Sequence, residues 1–221
     1  MSNINIAIDG PAGAGKSTIA RLVAKKLNYI YVDTGAMYRA MALCCIRAGF
    51  TADEKEKIEA CCSDCTVDIE YVDGEQNVLL NGENVGAFIR TEEVSQMTSA
   101  ISVYPKVREK LLDLQRNVAK NNSVIMDGRD IGSFVLPDAD LKIYLTASVA
   151  TRAKRRYLEQ MEKGLDVKLE EIEKEIEERD YRDMHREIAP LVVADDAVVV
   201  DSSDMTIEQV TDKIVSMAQA I

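Results

Sequence analysis

The chain has 221 residues, of which 47% are hydrophobic, and its formal net charge at pH 7 is −11. This length and apolar content allow one sizeable buried core, which excludes a disordered protein. The acidic balance argues against nucleic acid or an anionic membrane as the main partner, because both favour basic surfaces. Any anionic substrate must therefore be held by a local cluster of cations.

Short apolar runs rich in β-branched residues predict five strands, at residues 4–8, 29–32, 123–126, 141–145 and 197–200. The runs are continuous rather than alternating, which is typical of strands covered on both faces. Helical periodicity predicts helices at residues 16–27, 37–48, 105–120, 149–163, 169–186 and 206–219. Strands that alternate with helices indicate an α/β fold with a parallel sheet and right-handed crossovers.

Two segments interrupt this alternation. Residues 66–72 and 77–81 flank the sequence Asp-Gly-Glu-Gln and predict a β-hairpin, inserted between the second helix and the third core strand. Residues 151–186 predict a charged helical pair, whose first helix can end at Gly164. We expect the hairpin to form a small subdomain.

The sequence GPAGAGKS, at residues 10–17, matches the pattern G-x-x-x-x-G-K-[ST] between the first predicted strand and the first predicted helix. Its glycines allow backbone amides to turn inward around phosphate oxygens, at the positive end of a helix dipole. We expect Lys16 to span the β- and γ-phosphates of a nucleotide and the Ser17 hydroxyl to ligate Mg²⁺. The alternative is a glycine-rich turn with a solvated lysine, which the strand–loop–helix context disfavours.

Polar residues also follow the second and third predicted strands. They are Asp33, Thr34 and Arg39 after the second strand, and Asp127, Arg129 and Asp130 after the third. In an open parallel sheet, this edge is the ligand crevice. Each arginine taken alone could belong to a surface ion pair. Their convergence on the phosphate loop from separate strands favours a binding site.

The charged helical pair contains a cluster of arginines: Arg152, Arg155, Arg156, Arg179, Arg182 and Arg186. Its glutamates offer partners at i,i+4 spacing, such as Glu178 for Arg182, and we assign Arg152 and Arg182 to an exposed helix surface. For the segment as a whole we expect a mobile lid, because phosphoryl transfer requires that water be excluded and that cations reach the phosphates.

Five cysteines lie between residues 44 and 65. The pair Cys62 and Cys65 could begin a zinc or redox site, but no second pair matches it, and the one histidine in the sequence is the distant His185. We therefore expect reduced thiols. The N-terminal sequence has no charged leader and no stretch approaches a membrane span, so we expect a soluble cytoplasmic protein.

Five motifs together resemble bacterial cytidylate kinases, which are nucleoside monophosphate kinases: GPAGAGKST, VDTGAMYRA, YPKVRE, MDGRDIG and ERDYRDMHREIAPL. The resemblance covers essentially the whole chain, and its G-R-D and R-D-x-x-R elements separate it from adenylate and guanylate kinases. One departure is Thr34, where relatives often carry serine. The resemblance implies a P-loop three-layer α/β fold with a five-stranded parallel sheet, an inserted small β-containing subdomain and a helical lid.

The same resemblance implies one domain over residues 1–221. Its parts are a core at 1–35, 121–148 and 187–221, a nucleoside monophosphate region with the inserted hairpin at about 36–120, and a lid at about 149–186. The implied reaction is ATP + CMP ⇌ ADP + CDP with Mg²⁺, in pyrimidine nucleotide metabolism. The resemblance also implies that dCMP is a second substrate and that the enzyme is a monomer.

Site residues follow from the resemblance motif by motif. The ATP phosphates are bound by Gly10, Pro11, Ala12, Gly13, Ala14, Gly15, Lys16, Ser17 and Thr18. The CMP phosphate is held by Arg39, Arg129 and Arg186, and Thr34 keeps a hydroxyl on the substrate side. Cytosine is read by Ser99, Arg108 and Asp130, while Arg179 and Asp183 meet the ribose. Arg155 and Arg156 are lid cations near the transferring phosphoryl group, and with Lys16, Arg129 and Arg179 they form the catalytic set.

The acceptor determines the expected mechanism. A phosphate monoester has a second pKa of about 6 and is largely dianionic at neutral pH, so no general base is needed. Catalysis then depends on cations and alignment, and we expect no proton transfer by His185. Two alternatives are another small-molecule kinase of the same architecture and a nucleotide-dependent switch or binding module.

Overall fold

The computed structural model describes residues 3–72 and 74–221. In chain order its elements are β1 (Asn5–Asp9), α1 (Lys16–Leu27), β2 (Ile30–Asp33), α2 (Thr34–Arg47), α3 (Lys55–Asp64), β3 (Val67–Val72), β4 (Glu75–Leu80), β5 (Glu83–Asn84), α4 (Glu92–Ile101), α5 (Pro105–Asn121), β6 (Val124–Gly128), a π-helical turn (Ile131–Val135), β7 (Leu141–Thr146), α6 (Val149–Glu162), α7 (Leu169–His185), β8 (Val198–Asp201) and α8 (Ile207–Ala218).

Five strands form a parallel sheet in the spatial order β2, β6, β1, β7, β8. This confirms the predicted α/β fold, and each predicted core strand begins and ends within two residues of the observed one. Both faces of the sheet are covered. On β1, Ile6 and Ile8 pack with side chains of α1 and α8, whereas Ala7 packs on the opposite face with α2 and its neighbours. Burial on both faces explains the continuous apolar runs.

The strand register brings polar strand ends together. Asp9 at the end of β1 lies opposite Gly128 of β6, and Asp33 at the end of β2 lies opposite Asp127. Because the strands are parallel, these carboxyl ends share one edge of the sheet with the phosphate loop. The sheet therefore positions the residues that were expected to bind a ligand.

The inserted hairpin forms as predicted and gains a third, short strand. β3 pairs antiparallel with β4, and β4 pairs with β5. The predicted turn is shorter than the four residues 73–76, because β4 already begins at Glu75, and residue 73 lies outside the described residues. Gln76 docks the hairpin on the sheet: its Oε1 accepts from the amide of Asp33 at 2.8 Å, and its Nε2 donates to the Asp33 carbonyl at 3.2 Å.

Two helices were not predicted from the sequence, namely α3 and α4. α3 is short, mostly polar and has only two buried residues, Ile58 and Cys62. α4 is also short, but its buried residues Val94, Met97, Thr98 and Ile101 have helical spacing, so the sequence did contain a signal for it. The start of α4 is fixed by Thr91, whose hydroxyl accepts from the amide of Val94 at 3.2 Å. This helix matters for the site because it carries Ser99.

The charged helical pair is confirmed as α6 and α7, each within one residue of its predicted bounds. Gly164 has a φ of +74° just after α6, in the left-handed conformation that glycine favours at helix ends. Ala153, Ile172 and Ile176 form a small apolar cluster between the two helices. The pair therefore has its own packing, apart from the two clusters that cover the sheet.

Among the helices in the described residues, none is both long enough and apolar enough to cross a membrane.

Candidate active site

A cleft of about 760 Å³ opens at the carboxyl edge of the sheet. It is bounded by the phosphate loop, the ends of β2 and β6, and helices α4, α6 and α7. The predicted site residues that line it are residues 12–18, Thr34, Arg39, Ser99, Arg108, Arg129, Asp130, Arg155, Arg156, Arg179, Asp183 and Arg186. Gly10 and Pro11 are buried and do not line it. The structure thus brings residues from seven separate segments into one cleft.

The phosphate loop has the backbone that its glycines allow. Gly13 and Gly15 have φ values of +75° and +85°. Gly10 has a φ of +148°, and a Cβ there would collide with the carbonyl oxygen of Leu145. A side chain would therefore push the loop away from β7. In α1, which follows the loop, no acidic residue occupies the first turn, so its positive end remains available to an anion.

Lys16 is buried within the loop, with only 5% of its surface exposed. Its Nζ donates to the carbonyl oxygen of Pro11 at 2.7 Å. Burial and the nearby charge of Arg129 lower the pKa of Lys16 well below its ordinary value. A bound anion would offset both effects, so this lysine suits a site that receives phosphate.

Ser17, Asp127 and Tyr31 form a connected group beside the loop. The Ser17 hydroxyl donates to Asp127 Oδ2 at 2.9 Å, and the Tyr31 hydroxyl donates to Asp127 Oδ1 at 2.9 Å. Burial and the charge of Asp33 raise the pKa of Asp127 to about 6. A hydroxyl and a carboxylate are the oxygen ligands that Mg²⁺ prefers. Asp127 therefore belongs to the site, although sequence reasoning placed it only at the sheet edge.

Asp9 was missed by the sequence analysis. Its carboxylate accepts from the amides of Ile131 and Gly132 at 2.8 and 2.7 Å, and so anchors the π-helical turn after the G-R-D motif. Burial raises its pKa to about 6. A charged residue that ends a buried apolar strand just before a glycine-rich loop is the signal that could have identified it.

Arg108 and Asp130 form a buried ion pair in the wall of the cleft, with 5% and 6% of their surfaces exposed. The second Asp130 oxygen accepts from Arg186 Nη2 at 2.9 Å. Asp130 thus accepts hydrogen bonds from two arginines. Arg186 directly follows α7, so it connects this ion pair to that helix. Thr34 was also predicted to bind the substrate. Its hydroxyl hydrogen is engaged within the protein, because it donates to the Asp127 carbonyl at 2.7 Å.

Arg129 and Asp183 are joined at 2.8 Å from Nε to Oδ2. Burial opposes both charges, but the pair outweighs it, so the pKa of Asp183 stays below its ordinary value and that of Arg129 is raised. Asp183, which is predicted to contact the ribose, therefore also holds Arg129, which is predicted to bind the phosphate.

Two cations in the cleft are less fully compensated. Burial lowers the pKa of Arg39 and lowers that of Arg179 to about 10. In the described part of the chain, neither has a carboxylate oxygen within 4.0 Å, and the Nε of Arg179 is buried without a hydrogen-bond partner. Cations whose charge is only partly compensated favour an anionic ligand in the cleft.

The arginines of the charged helical pair differ in their surroundings, and the assignment of Arg152 to an exposed surface was wrong. Arg155 donates to the carbonyl of Ser202 at 2.7 Å, and Arg156 lies 3.3 Å from Glu175. Arg182 is exposed as expected, although its predicted partner Glu178 lies 3.9 Å from Lys174. Arg152 was expected on an exposed surface, but only 4% of it is exposed. Periodicity could not reveal this burial, because it depends on partners distant in sequence.

The five cysteines are unpaired. Within residues 3–72 and 74–221, no three histidine, cysteine or acidic side chains are arranged to hold a metal ion. The Sγ atoms of Cys44 and Cys61 lie 3.4 Å apart between α2 and α3.

Comparison with known proteins identifies the family. A sequence model described as cytidylate kinase matches residues 6–220. The chain belongs to the cytidylate kinase family. It is 53% identical to the cytidylate kinase of Caldicellulosiruptor saccharolyticus, over 98% of this chain and 96% of that one. It is 48% identical to the cytidylate kinase of Ligilactobacillus salivarius, over 99% of this chain and 98% of that one.

Solved structures with low sequence identity share the fold of this cytidylate kinase family member. Shikimate kinase from Acinetobacter baumannii, in complex with shikimate, has a TM-score of 0.50 at 16% identity, over 99% of this chain and 94% of that one. An uncharacterized protein from Eubacterium ventriosum has a TM-score of 0.53 at 13% identity, over the full length of both chains. These likenesses concern the fold alone.

Proposed function

We propose that the protein transfers the γ-phosphoryl group of ATP to the phosphate of CMP, forming ADP and CDP, and that dCMP is a second acceptor. The observation that carries the proposal is the cleft itself. One cleft is lined by the phosphate loop, by Arg129 and by the buried Arg108–Asp130 pair. Membership of the cytidylate kinase family supports the same reaction.

The donor end suits the phosphates of ATP. Residues 12–18 line this end and supply backbone amides, the buried cation Lys16 and the positive end of α1. Ser17 and Asp127 supply the oxygen atoms that would hold Mg²⁺. When bound there, Mg²⁺ neutralises charge on the β- and γ-phosphates. Asp127 accepts a hydrogen bond from the Ser17 hydroxyl, which leaves the oxygen lone pairs of Ser17 free for a ligand.

The acceptor end suits a nucleoside monophosphate. Arg39, Arg129 and Arg186 would hold its phosphate, and the low degree of charge compensation at Arg39 supports this role. Arg179 and Asp183 on α7 would meet the ribose. Thr34 and Ser99 line the same end of the cleft and would support the substrate with hydroxyl groups.

The chemistry needs positioning and positive charge more than proton transfer. The acceptor phosphate is mostly a dianion at neutral pH, so its oxygen can attack without a base. The barrier comes from bringing two polyanions together and aligning the attacking and leaving oxygens. Lys16, Arg129, Arg155, Arg156 and Arg179 would stabilise the charge that develops in the transition state.

Base selection follows from the buried ion pair. Asp130 can accept from the exocyclic amino group of cytosine, and Arg108 can donate to the adjacent ring nitrogen and carbonyl oxygen. Uracil would instead place a carbonyl against the Asp130 carboxylate and leave a desolvated acceptor unpaired. The cleft should therefore favour CMP over UMP.

Three parts would perform these tasks. They are the core at 1–35, 121–148 and 187–221, the acceptor region at about 36–120, and a lid at about 149–186 that excludes water. The unpaired cysteines support a reducing compartment such as the cytoplasm. We further propose a monomeric enzyme, as the resemblance implies.

The test is ADP formation by the purified protein with ATP, Mg²⁺ and a panel of CMP, dCMP, UMP, AMP and GMP. We expect ADP with CMP and dCMP, much less with UMP, and almost none without an acceptor. ADP formation without an acceptor would indicate a hydrolytic switch. Formation of ADP only with a different acceptor would contradict the proposed substrate.

A further inference from the structure

Arg152 bonds to three separate segments around the cleft. Its Nε donates to the carbonyl of Ala147 before α6, and its Nη1 donates to the carbonyl of Ala12 in the phosphate loop, each at 2.9 Å. Its Nη2 lies 2.6 Å from Asp180 Oδ2 on α7. With its charge paired and its surface buried, Arg152 is engaged by protein groups rather than by solvent.

The phosphate loop also packs against this side chain. Gly13 has a φ of +75°, and a Cβ there would lie 3.4 Å from Arg152 Cβ. The carbonyl of Ala12 and the amide of Gly13 share one planar trans peptide, so they point in opposite directions. By holding the carbonyl, Arg152 also fixes the direction of the Gly13 amide. Amide directions determine how well such a loop binds an anion.

Helix α7 is held by two buried carboxylates, Asp180 and Asp183, that lie three residues apart on one face. Asp180 pairs with Arg152, and Asp183 pairs with Arg129 at 2.8 Å. The helix is therefore bonded to the donor side through one arginine and to the end of β6 through the other. It also carries Arg179, which is proposed to meet the acceptor.

The pair between Arg152 and Asp180 resists independent movement of the two sides. Breaking a buried ion pair leaves an uncompensated charge in a poorly solvated place. The other Asp180 oxygen, Oδ1, is already buried without a hydrogen-bond partner. Movement of either the phosphate loop or α7 alone would therefore strain this buried pair.

We infer that Arg152 is a positioning residue: through Ala12 and Asp180 it couples the conformation of the phosphate loop to the placement of α7, so that ATP and CMP bind cooperatively. This inference rests on the proposed function and deepens it. The coupling must be reciprocal, so each nucleotide should increase the affinity for the other by the same factor.

Calorimetric titration of CMP, with and without saturating Mg²⁺ and a non-hydrolysable ATP analogue, measures this coupling. For the wild type we expect CMP to bind at least about fivefold more tightly when the analogue is present. In Asp180→Asn, which keeps the shape and removes the charge, this factor should shrink to about twofold or less. Glu177→Gln, an exposed change on the same helix, should keep the wild-type factor.

The outcomes separate the inference from the proposed function. No binding of CMP or of the analogue by the wild type would contradict the function. Binding of both without coupling, or full coupling in Asp180→Asn, would overturn the role of Arg152. Arg152→Lys gives a second variant, because lysine keeps the charge but cannot reach three acceptors in one plane. It should lose the coupling as well.

Hydrogen exchange in the wild type gives a measurement that needs no variant to fold. CMP alone should slow amide exchange at residues 12–15, although the proposed CMP contacts lie elsewhere. Unchanged exchange in the loop at saturating CMP would overturn the inference.

Discussion

Arg129 Nε donates to Asp183 Oδ2 over 2.8 Å, so the residue that follows β6 is bonded directly to helix α7. The guanidinium keeps its two terminal nitrogens for other partners, and Nη1 makes only a long contact of 3.3 Å with the Gly128 carbonyl. Arg129 can therefore hold Asp183 with one nitrogen and a phosphate with others. Lysine carries all its donors on one nitrogen, so it cannot reproduce this planar arrangement, in which separate nitrogens face the carboxylate and the phosphate.

Arg129→Lys should consequently impair the acceptor more than the donor. We expect kcat/KM for CMP to fall by about a hundredfold, while the KM for ATP changes by less than about threefold. Steady-state kinetics with each nucleotide varied in turn measure both quantities. Arg182→Lys, at an exposed position on α7, is the control. If the KM for ATP rose by the same factor as kcat/KM for CMP fell, Arg129 would not act mainly on the acceptor phosphate.

Lys16→Ala removes the cation expected to follow charge from the β–γ bridge into the transition state. We expect kcat to fall at least about a hundredfold while the fold persists. Turnover and circular dichroism test the two parts, and Lys25→Ala on the exposed face of α1 is the control. Near-normal turnover in Lys16→Ala would refute the phosphate-loop assignment.

Asp130→Asn should relax base selection. The asparagine amide can donate to the uracil carbonyl, so kcat/KM for CMP should fall and the CMP-to-UMP ratio should narrow by about tenfold or more. The ratio is measured in the wild type, in the variant and in Asp138→Asn, an exposed control nearby. If the ratio is the same in all three proteins, Asp130 does not read the base.

The raised pKa of Asp9 predicts a pH dependence of stability. Its folded pKa of about 6 means that the folded protein holds this proton more tightly than the unfolded chain, where an aspartate titrates near about 3.9. The contribution of this group to the free energy of unfolding should therefore fall between about pH 4 and pH 6, by about 3 kcal/mol, and stay level above.

Chemical denaturation across this range, in the wild type and in Asp9→Asn, isolates the effect, because asparagine does not titrate. The wild-type stability relative to the variant should decrease as the pH rises through the window. A constant difference between the wild type and Asp9→Asn would contradict the raised pKa.

Local patterns were sufficient to predict much of this structure. The phosphate loop, the five core strands and the lid helices each depend on residues that are close in sequence, such as the apolar run before Asp9 or the glycine after α6. Helix α4 was missed although its local signals are present: its buried residues Val94, Met97, Thr98 and Ile101 have helical spacing, and the capping residue Thr91 precedes them.

The pairing of charges was harder to predict than their positions. Arg152 has the sequence surroundings of an exposed helix, yet it is buried by Ala12 and Asp180, which lie 140 residues before it and 28 residues after it. The buried carboxylate of Asp9 is likewise hydrogen-bonded to amides that lie more than 120 residues away in the sequence. Such partners become visible only when the chain is folded, because sequence periodicity reports on one element at a time.

The docking of the hairpin on β2 also has a consequence for association between molecules. β2 is an edge strand, and the free amides and carbonyls of an edge can template pairing with a strand from another chain. Here Gln76 occupies both backbone groups of Asp33, and the Tyr71 hydroxyl donates to the Tyr31 carbonyl at 3.2 Å. Two side chains thus block strand addition without extending the sheet. The hairpin protects this edge from aggregation while leaving the pairing of β2 with β6 intact.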